Sequence, residues 1–232
     1  MTIDNIDIQV EYKHIQNTHL AVYPPDGRVH VSAPDYLTEE DVRSYVISKW
    51  DWITHQREII ANTPRQTPRQ YISGESHYLF GNRYYLKVEE PNAEQGHIEL
   101  RGTIMYMHPN YSTNRHLLMQ EYYRTLLKEE LQRLLDKWTT QLDITDYTWQ
   151  VKTMKTQWGS CTTKTRTLLF NLELARVPKP CIEYVVVHEL THLTIPNHNR
   201  LFETLMTQRL PYWRILRTQL DQFIASEWKE HP

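Results

Sequence analysis

The chain has 232 residues, with 26 Lys and Arg against 28 Asp and Glu, for a formal net charge of −2. Apolar content of 40% and charged content of 23% fit a folded globular protein and exclude a disordered one. The balanced charge provides no basic field for nucleic acid or an anionic membrane, and no stretch approaches the roughly 20 apolar residues of a membrane span.

No basic run followed by an apolar run opens the sequence, so no leader peptide is expected. Cys161 and Cys181 lack the C-x-x-C spacing and are too few for a disulfide framework. A reducing, cytoplasmic location is therefore expected. Residues 6–33 predict short strands: "IDIQVEY", "HLAVYP" and "RVHVSAP" alternate apolar and polar positions, with Pro24-Pro25-Asp26-Gly27 as a turn. The period then switches. Thr38 suits an N-cap, and Val42, Tyr45, Val46, Trp50, Ile53 and Ile60 mark the apolar face of one helix over about 38–62. "TPRQTPRQ" (63–70) is a proline-broken connector. A hairpin about Gly81-Asn82 and a strand pair in "HIELRGTIMYMHP" complete a β-rich N-terminal lobe over 1–110.

Residues 111–232 are mainly helical, so the chain as a whole reads as α+β. A long helix spans about 113–142, and its interleaved acids and bases mark a solvated face rather than a nucleic-acid stripe. "YTWQVKTM" and "RTLLFNLEL" predict strands around the turn "QWGSC". Helices over about 179–194 and 200–208 come next, then an amphipathic C-terminal segment.

The chemistry is concentrated in "YVVVHELTHLTIPNHN", Tyr184 to Asn199. Pro180 suits a first helical turn, and Pro196 stops the helix by pushing Ile195 out of the α region. His188 and His192, four apart, stack one turn above the other and can reach the same point, which suits one zinc ion with neutral imidazole ligands. Glu189 comes directly after the first histidine and lies beside the metal, where a carboxylate can take a proton from water. A catalytic zinc usually takes three protein ligands. His198, brought back after the helix stop, is preferred as the third over Glu203, and Asn199 reads as the N-cap of the next helix. The plain alternative is a pair of core histidines with Glu189 at the surface. Three imidazoles and a carboxylate buried without a metal would be costly to desolvate, which favours the metal.

On these residues the chain resembles the YgjP-like metallopeptidase family, of the zincin type and similar to the SprT and WLM groups. Trp158-Gly159-Ser160-Cys161, Asn171, Tyr184 to His192, Asn197-His198, Phe202 and Pro211-Tyr212-Trp213 match its pattern, and "DGRVHVSAP" and "GESHYLFGNRYYLKV" fit its N-terminal half. The resemblance implies a zincin-like catalytic domain built on an HExxH helix, with peptide or protein substrates. Gln157 replaces an arginine of the pattern, so no role of that arginine is carried over. Asn199 replaces a serine, and either caps a helix. Ile195 stands where metzincins have glycine, so no Met-turn is carried over.

"QWGSC" has two open readings. Trp158, Gly159 and Ser160 border a cleft whose edge strand pairs with an extended substrate, or they form a structural turn. Cys161 and Cys181 read as packing residues. The expected activity is a zinc-dependent hydrolase, foremost a metallopeptidase with Glu189 as general base. Tyr184, Tyr212 and the residues near Ser160 are candidate oxyanion stabilisers. One rival is a metal-dependent nucleotide phosphoanhydride hydrolase, although the chain lacks a G-x-x-x-x-G-K-[ST] loop. A non-catalytic metal-binding module is the other, and Glu189 speaks against it.

Overall fold

The structure is a computed structural model that describes residues 1–23, 26–62, 69–92, 96–154 and 157–227. Pro24 and Pro25 of the expected turn, and residues 63–68 of the expected connector, lie outside the described residues. The chain divides into two compact units, Met1–Thr67 with Ile224–Pro232, and Pro68–Phe223.

In the first unit, β1 (Thr2–Ile3), β2 (Ile6–Lys13), β3 (His19–Tyr23) and β4 (Arg28–Pro34) form a sheet of order β1-β2-β4-β3. β2 and β4 run parallel, with Ile8 opposite Val29 and Val10 opposite Val31. Period-two alternation buries Val29, Val31 and Ala33 against Val42, Val46 and Ile53. The expected single helix is two, α1 (Glu39–Ser48) and α2 (Trp50–Asn62). Thr38 closes a capping box with Asp41 at the start of α1. The break falls at Lys49, whose φ of −108° and ψ of 11° leave the helical region. Neither glycine nor proline marks it, and the apolar period runs on through it.

The second unit contains a sheet of order β5-β6-β8-β7, from β5 (Ser76–Leu79), β6 (Asn82–Val88), β7 (His97–Arg101) and β8 (Ile104–His108). Met105 and Met107 of β8 and Leu86 of β6 join one apolar core with Leu127, Leu131 and Leu135 of α3 (Arg115–Leu142). Strands β5 to β8, which sequence patterning groups with the N-terminal lobe, thus pack into the core that carries the HExxH segment. Asn114 caps α3 by accepting from the Leu117 amide, and Asp143 ends it in the left-handed region at φ 53°.

A three-stranded sheet of order β10-β11-β9 comes next, from β9 (Thr148–Lys152), β10 (Gly159–Thr162) and β11 (Thr167–Asn171). β11 pairs parallel with β9 and antiparallel with β10, which leaves β10 as an outer strand. A 3₁₀ turn (Leu172–Ala175) leads to α4 (Lys179–His192), α5 (Arg200–Arg209) and α6 (Trp213–Glu227). No helix among the described residues is long and apolar enough to cross a membrane.

Candidate active site

α4 carries the HExxH segment and is enclosed. Cys181, Ile182, Tyr184 through Val187 and Glu189 through His192 are all buried. The sequence pattern suggests an amphipathic helix, but buried residues cover most of this one's circumference, and its His188, Glu189 and His192 side faces a cavity. Its last turn tightens, with the Leu193 amide donating to Leu190 O and the Thr194 amide to Thr191 O. Pro196 comes next, and Asn199 caps α5 by accepting from the Phe202 amide at 3.0 Å. These two punctuation marks return His198 to the end of α4.

The three imidazoles converge. His188 and His192 Nε2 are 3.1 Å apart, His192 and His198 3.0 Å, and His198 and His188 2.9 Å. Phe202 backs the cluster, its ring centroid 4.6–5.0 Å from each imidazole. His192 Nδ1 lies 3.0 Å from the Ile195 carbonyl. A carbonyl only accepts, so Nδ1 holds the proton and Nε2 presents a bare lone pair to the centre. Burial pushes the His188 imidazole down to about 3, and burial likewise depresses His192, so both rings are neutral near pH 7.

This donor set fits a single metal ion. Three imidazole nitrogens facing one another cannot all be paired by protons, whereas one cation accepts all three. A tetrahedral ion at about 2.0–2.1 Å holds its nitrogens about 3.3–3.4 Å apart, so the triangle needs to open by only a few tenths of an ångström. Glu203, the other candidate for third ligand, stays outside the cluster. It is half exposed and accepts from Arg214 at 2.9 Å.

Glu189 is buried, and its Oε2 has no hydrogen-bond partner among the described residues. Burial pushes its carboxyl up to about 8, an effect that a cation on the triad would oppose. Such an orphaned buried acid is expensive unless something brought into the site pairs with it. Gly159 of β10 comes close enough that a Cβ there would lie 2.7 Å from Glu189 Oε1. The strand can approach the acid only because the residue is glycine.

The triad and Glu189 open onto a cavity of about 830 Å³ that Trp158, Gly159, Ser160 and Tyr184 also line. The segment before β10 is fixed by Asn171, fully buried, whose side-chain amide donates to Met154 O and Gln157 O at 2.8 Å each. The Asn171 backbone amide also bonds Trp158 O at 2.9 Å. The "QWGSC" segment is thus both a pinned turn and part of the cavity wall.

Of the two tyrosines weighed for the oxyanion, Tyr184 lies 5.7 Å from the His188 ring and stacks on Trp213. Tyr212 is 71% exposed and does not line the cavity. Cys161 does line it, with burial and then the Glu189 charge pushing its thiol up to about 11. A thiol protonated at neutral pH is a poor nucleophile. The Cys181 thiol is fully buried. Sequence reading missed Arg217, Leu220 and Asp221 on α6, all of which reach the cavity. Their spacing of three and four residues from one another, and from Trp213, was the available signal.

Three convergent imidazoles with a buried carboxyl beside them are the arrangement of a metal-dependent hydrolase. The family described as YgjP-like, metallopeptidase domain, matches residues 18–223, and the chain belongs to that family. Among solved structures, the metallopeptidase zymogen jannalysin of Methanocaldococcus jannaschii is similar at 22% identity and a TM-score of 0.37, over 40% of this chain and 96% of its own. The metallopeptidase zymogen abylysin of Pyrococcus abyssi is similar at 17% identity and a TM-score of 0.36, over 41% and 92%. No curated protein matches the chain.

Proposed function

We propose that the protein is a zinc-dependent peptidase in which His188, His192 and His198 hold one zinc ion and Glu189 is the general base. The observation that carries this reading is the triangle of Nε2 atoms, none more than 3.1 Å from another, in the same cavity as a buried carboxylate with an unpartnered oxygen. When bound, the ion acidifies water and polarises a carbonyl. Glu189 takes the proton from the attacking water and hands it to the leaving amine. His192, held by its Nδ1 proton on Ile195 O, keeps its lone pair aimed at the ligand point. Tyr184, buried beside His188 and pushed up to about 12 mainly by burial, keeps its hydroxyl proton and can donate to a developing oxyanion. Trp158 and the outer-strand residues Gly159 and Ser160 offer an edge along which an extended peptide can lie. Residues 111–232 are proposed as the catalytic region.

The test is metal content and hydrolysis of a peptide library and of nucleotides, for the wild type and Glu189→Ala. The reading expects one zinc per chain in both, with peptide turnover falling by about 10²–10⁴-fold in the variant. Nucleotide turnover lost in Glu189→Ala, without any peptide turnover, would overturn it.

A further inference from the structure

α6 brings Trp213, Arg217, Leu220 and Asp221 to the wall of the active-site cavity. Arg217 is the only lysine or arginine among the described residues that line it. The acids of the same wall are Glu189, Glu203 and Asp221, so apart from the proposed metal site Arg217 is the one side chain of the lining that offers a fixed positive charge to an incoming anion.

The Arg217 guanidinium is uncommitted. It makes no hydrogen bond among the described residues, and its ion pair with Asp221, at 3.9 Å, is longer than a hydrogen bond. Both side chains are more than three-fifths exposed, so the attraction between them is weak. Arg214, three residues earlier, is engaged, donating to Glu203 at 2.9 Å and to Thr207 at 3.4 Å. Five N–H donors in a planar fork match a carboxylate with two parallel bonds. A single guanidinium with an acid one turn away suits a monoanion rather than a phosphate chain.

We propose that Arg217 binds a carboxylate of the substrate and so sets which peptides enter and in what register. This rests on the peptidase reading, because a peptide's anions at neutral pH are carboxylates. Two sources share that chemistry, an acidic side chain near the scissile bond and a free C-terminus. Asp221 competes for the same guanidinium and weakens the preference.

The test compares peptides that differ by Glu against Gln at each position, each with a free or an amidated C-terminus. kcat/KM is measured for the wild type, Arg217→Gln, Arg217→Glu and Asp221→Asn, with melting curves to establish that each variant folds. Binding of the same peptides to zinc-loaded Glu189→Gln, with and without Arg217→Gln, is measured by calorimetry. The wild type should favour one carboxylate form by about tenfold or more. Arg217→Gln should abolish that preference, Arg217→Glu should reverse it toward lysine peptides, and Asp221→Asn should raise it. The position at which Glu matters, or the loss on amidation, identifies the source.

If no peptide is cleaved but binding favours a carboxylate and loses that preference in Arg217→Gln, the peptidase reading falls and the subsite stands. A wild type with no carboxylate preference in turnover or binding, or a preference that survives Arg217→Gln, overturns the subsite.

Discussion

Gly159→Ala is the most discriminating small change in the site. The added Cβ would meet Glu189 Oε1 at 2.7 Å, Cγ at 2.9 Å and Cδ at 3.0 Å. An ordinary non-bonded contact is about 3.5 Å, so the carboxylate or the strand must retreat by about 0.8 Å. Glu189 lies on an enclosed helix, and β10 is held by four register pairs to β11, so neither backbone yields freely. Overpacking of this kind costs about 1–3 kcal/mol, which at this chain length lowers the melting temperature by several degrees. A base displaced by about 1 Å loses on the order of 10²-fold in rate. The expected result is a kcat lower by about 10–100-fold, with KM changed little and one zinc per chain retained. The assay is steady-state hydrolysis of a cleaved library peptide, with metal content and a melting curve on the same preparation. Glu189→Asp shortens the acid by one methylene and makes room for the methyl. In that slower background, adding Gly159→Ala should therefore cost much less than it does alone. A folded, zinc-loaded Gly159→Ala with kcat within about twofold of wild type would refute the reasoning, as would full additivity in the double variant.

Each triad alanine, His188→Ala, His192→Ala or His198→Ala, should reduce zinc to well under one per chain by elemental analysis, whereas Glu203→Ala should leave it near one. Removing the metal with a chelator should lower the melting temperature, because an ion bound only by the folded state stabilises it; equal melting with and without chelator would contradict the site. Asn171→Leu leaves Met154 O and Gln157 O without their donor and should destabilise the fold by about 2–4 kcal/mol in denaturant melts.

His77 is fully buried, and burial, then the Arg69 and Arg176 charges, push its imidazole down to about 3 from an ordinary 6.5. It folds neutral and protonates on unfolding, so its contribution is full above about pH 6.5 and is lost as pH falls toward about 3. Each unit in that window costs about 1.4 kcal/mol. His77→Gln should therefore flatten the acid limb of the stability profile.

The site was legible where chemistry imposes a spacing. His188 and His192 must be four apart to share a helix face, Pro196 must stop that helix for His198 to return, and Asn199 can cap α5. Gly159 was legible as a glycine but not for its reason, since the close approach to Glu189 joins residues thirty apart. Arg217 was hidden among the charges of an amphipathic segment, and its helical spacing from Trp213 does not by itself separate a cavity-facing arginine from a solvated one. In the fold, the α1–α2 break was invisible because Lys49 is an ordinary helix former. The affiliation of β5–β8 was invisible because alternation tells which face is buried, not which partner buries it. The enclosure of α4 escaped notice because His188, Glu189 and His192 look polar in a sequence, although the site takes them inside.

That enclosure has a kinetic consequence. Backbone amides of a largely buried helix exchange with solvent mainly when the surrounding core opens, so Val186 to Leu190 should be among the slowest to exchange. His188 and Glu189 would then sit in one of the most protected parts of the molecule. A conformational step in turnover would then have to come from elements outside α4, and α6, which lines the cavity, is the nearest to the chemistry.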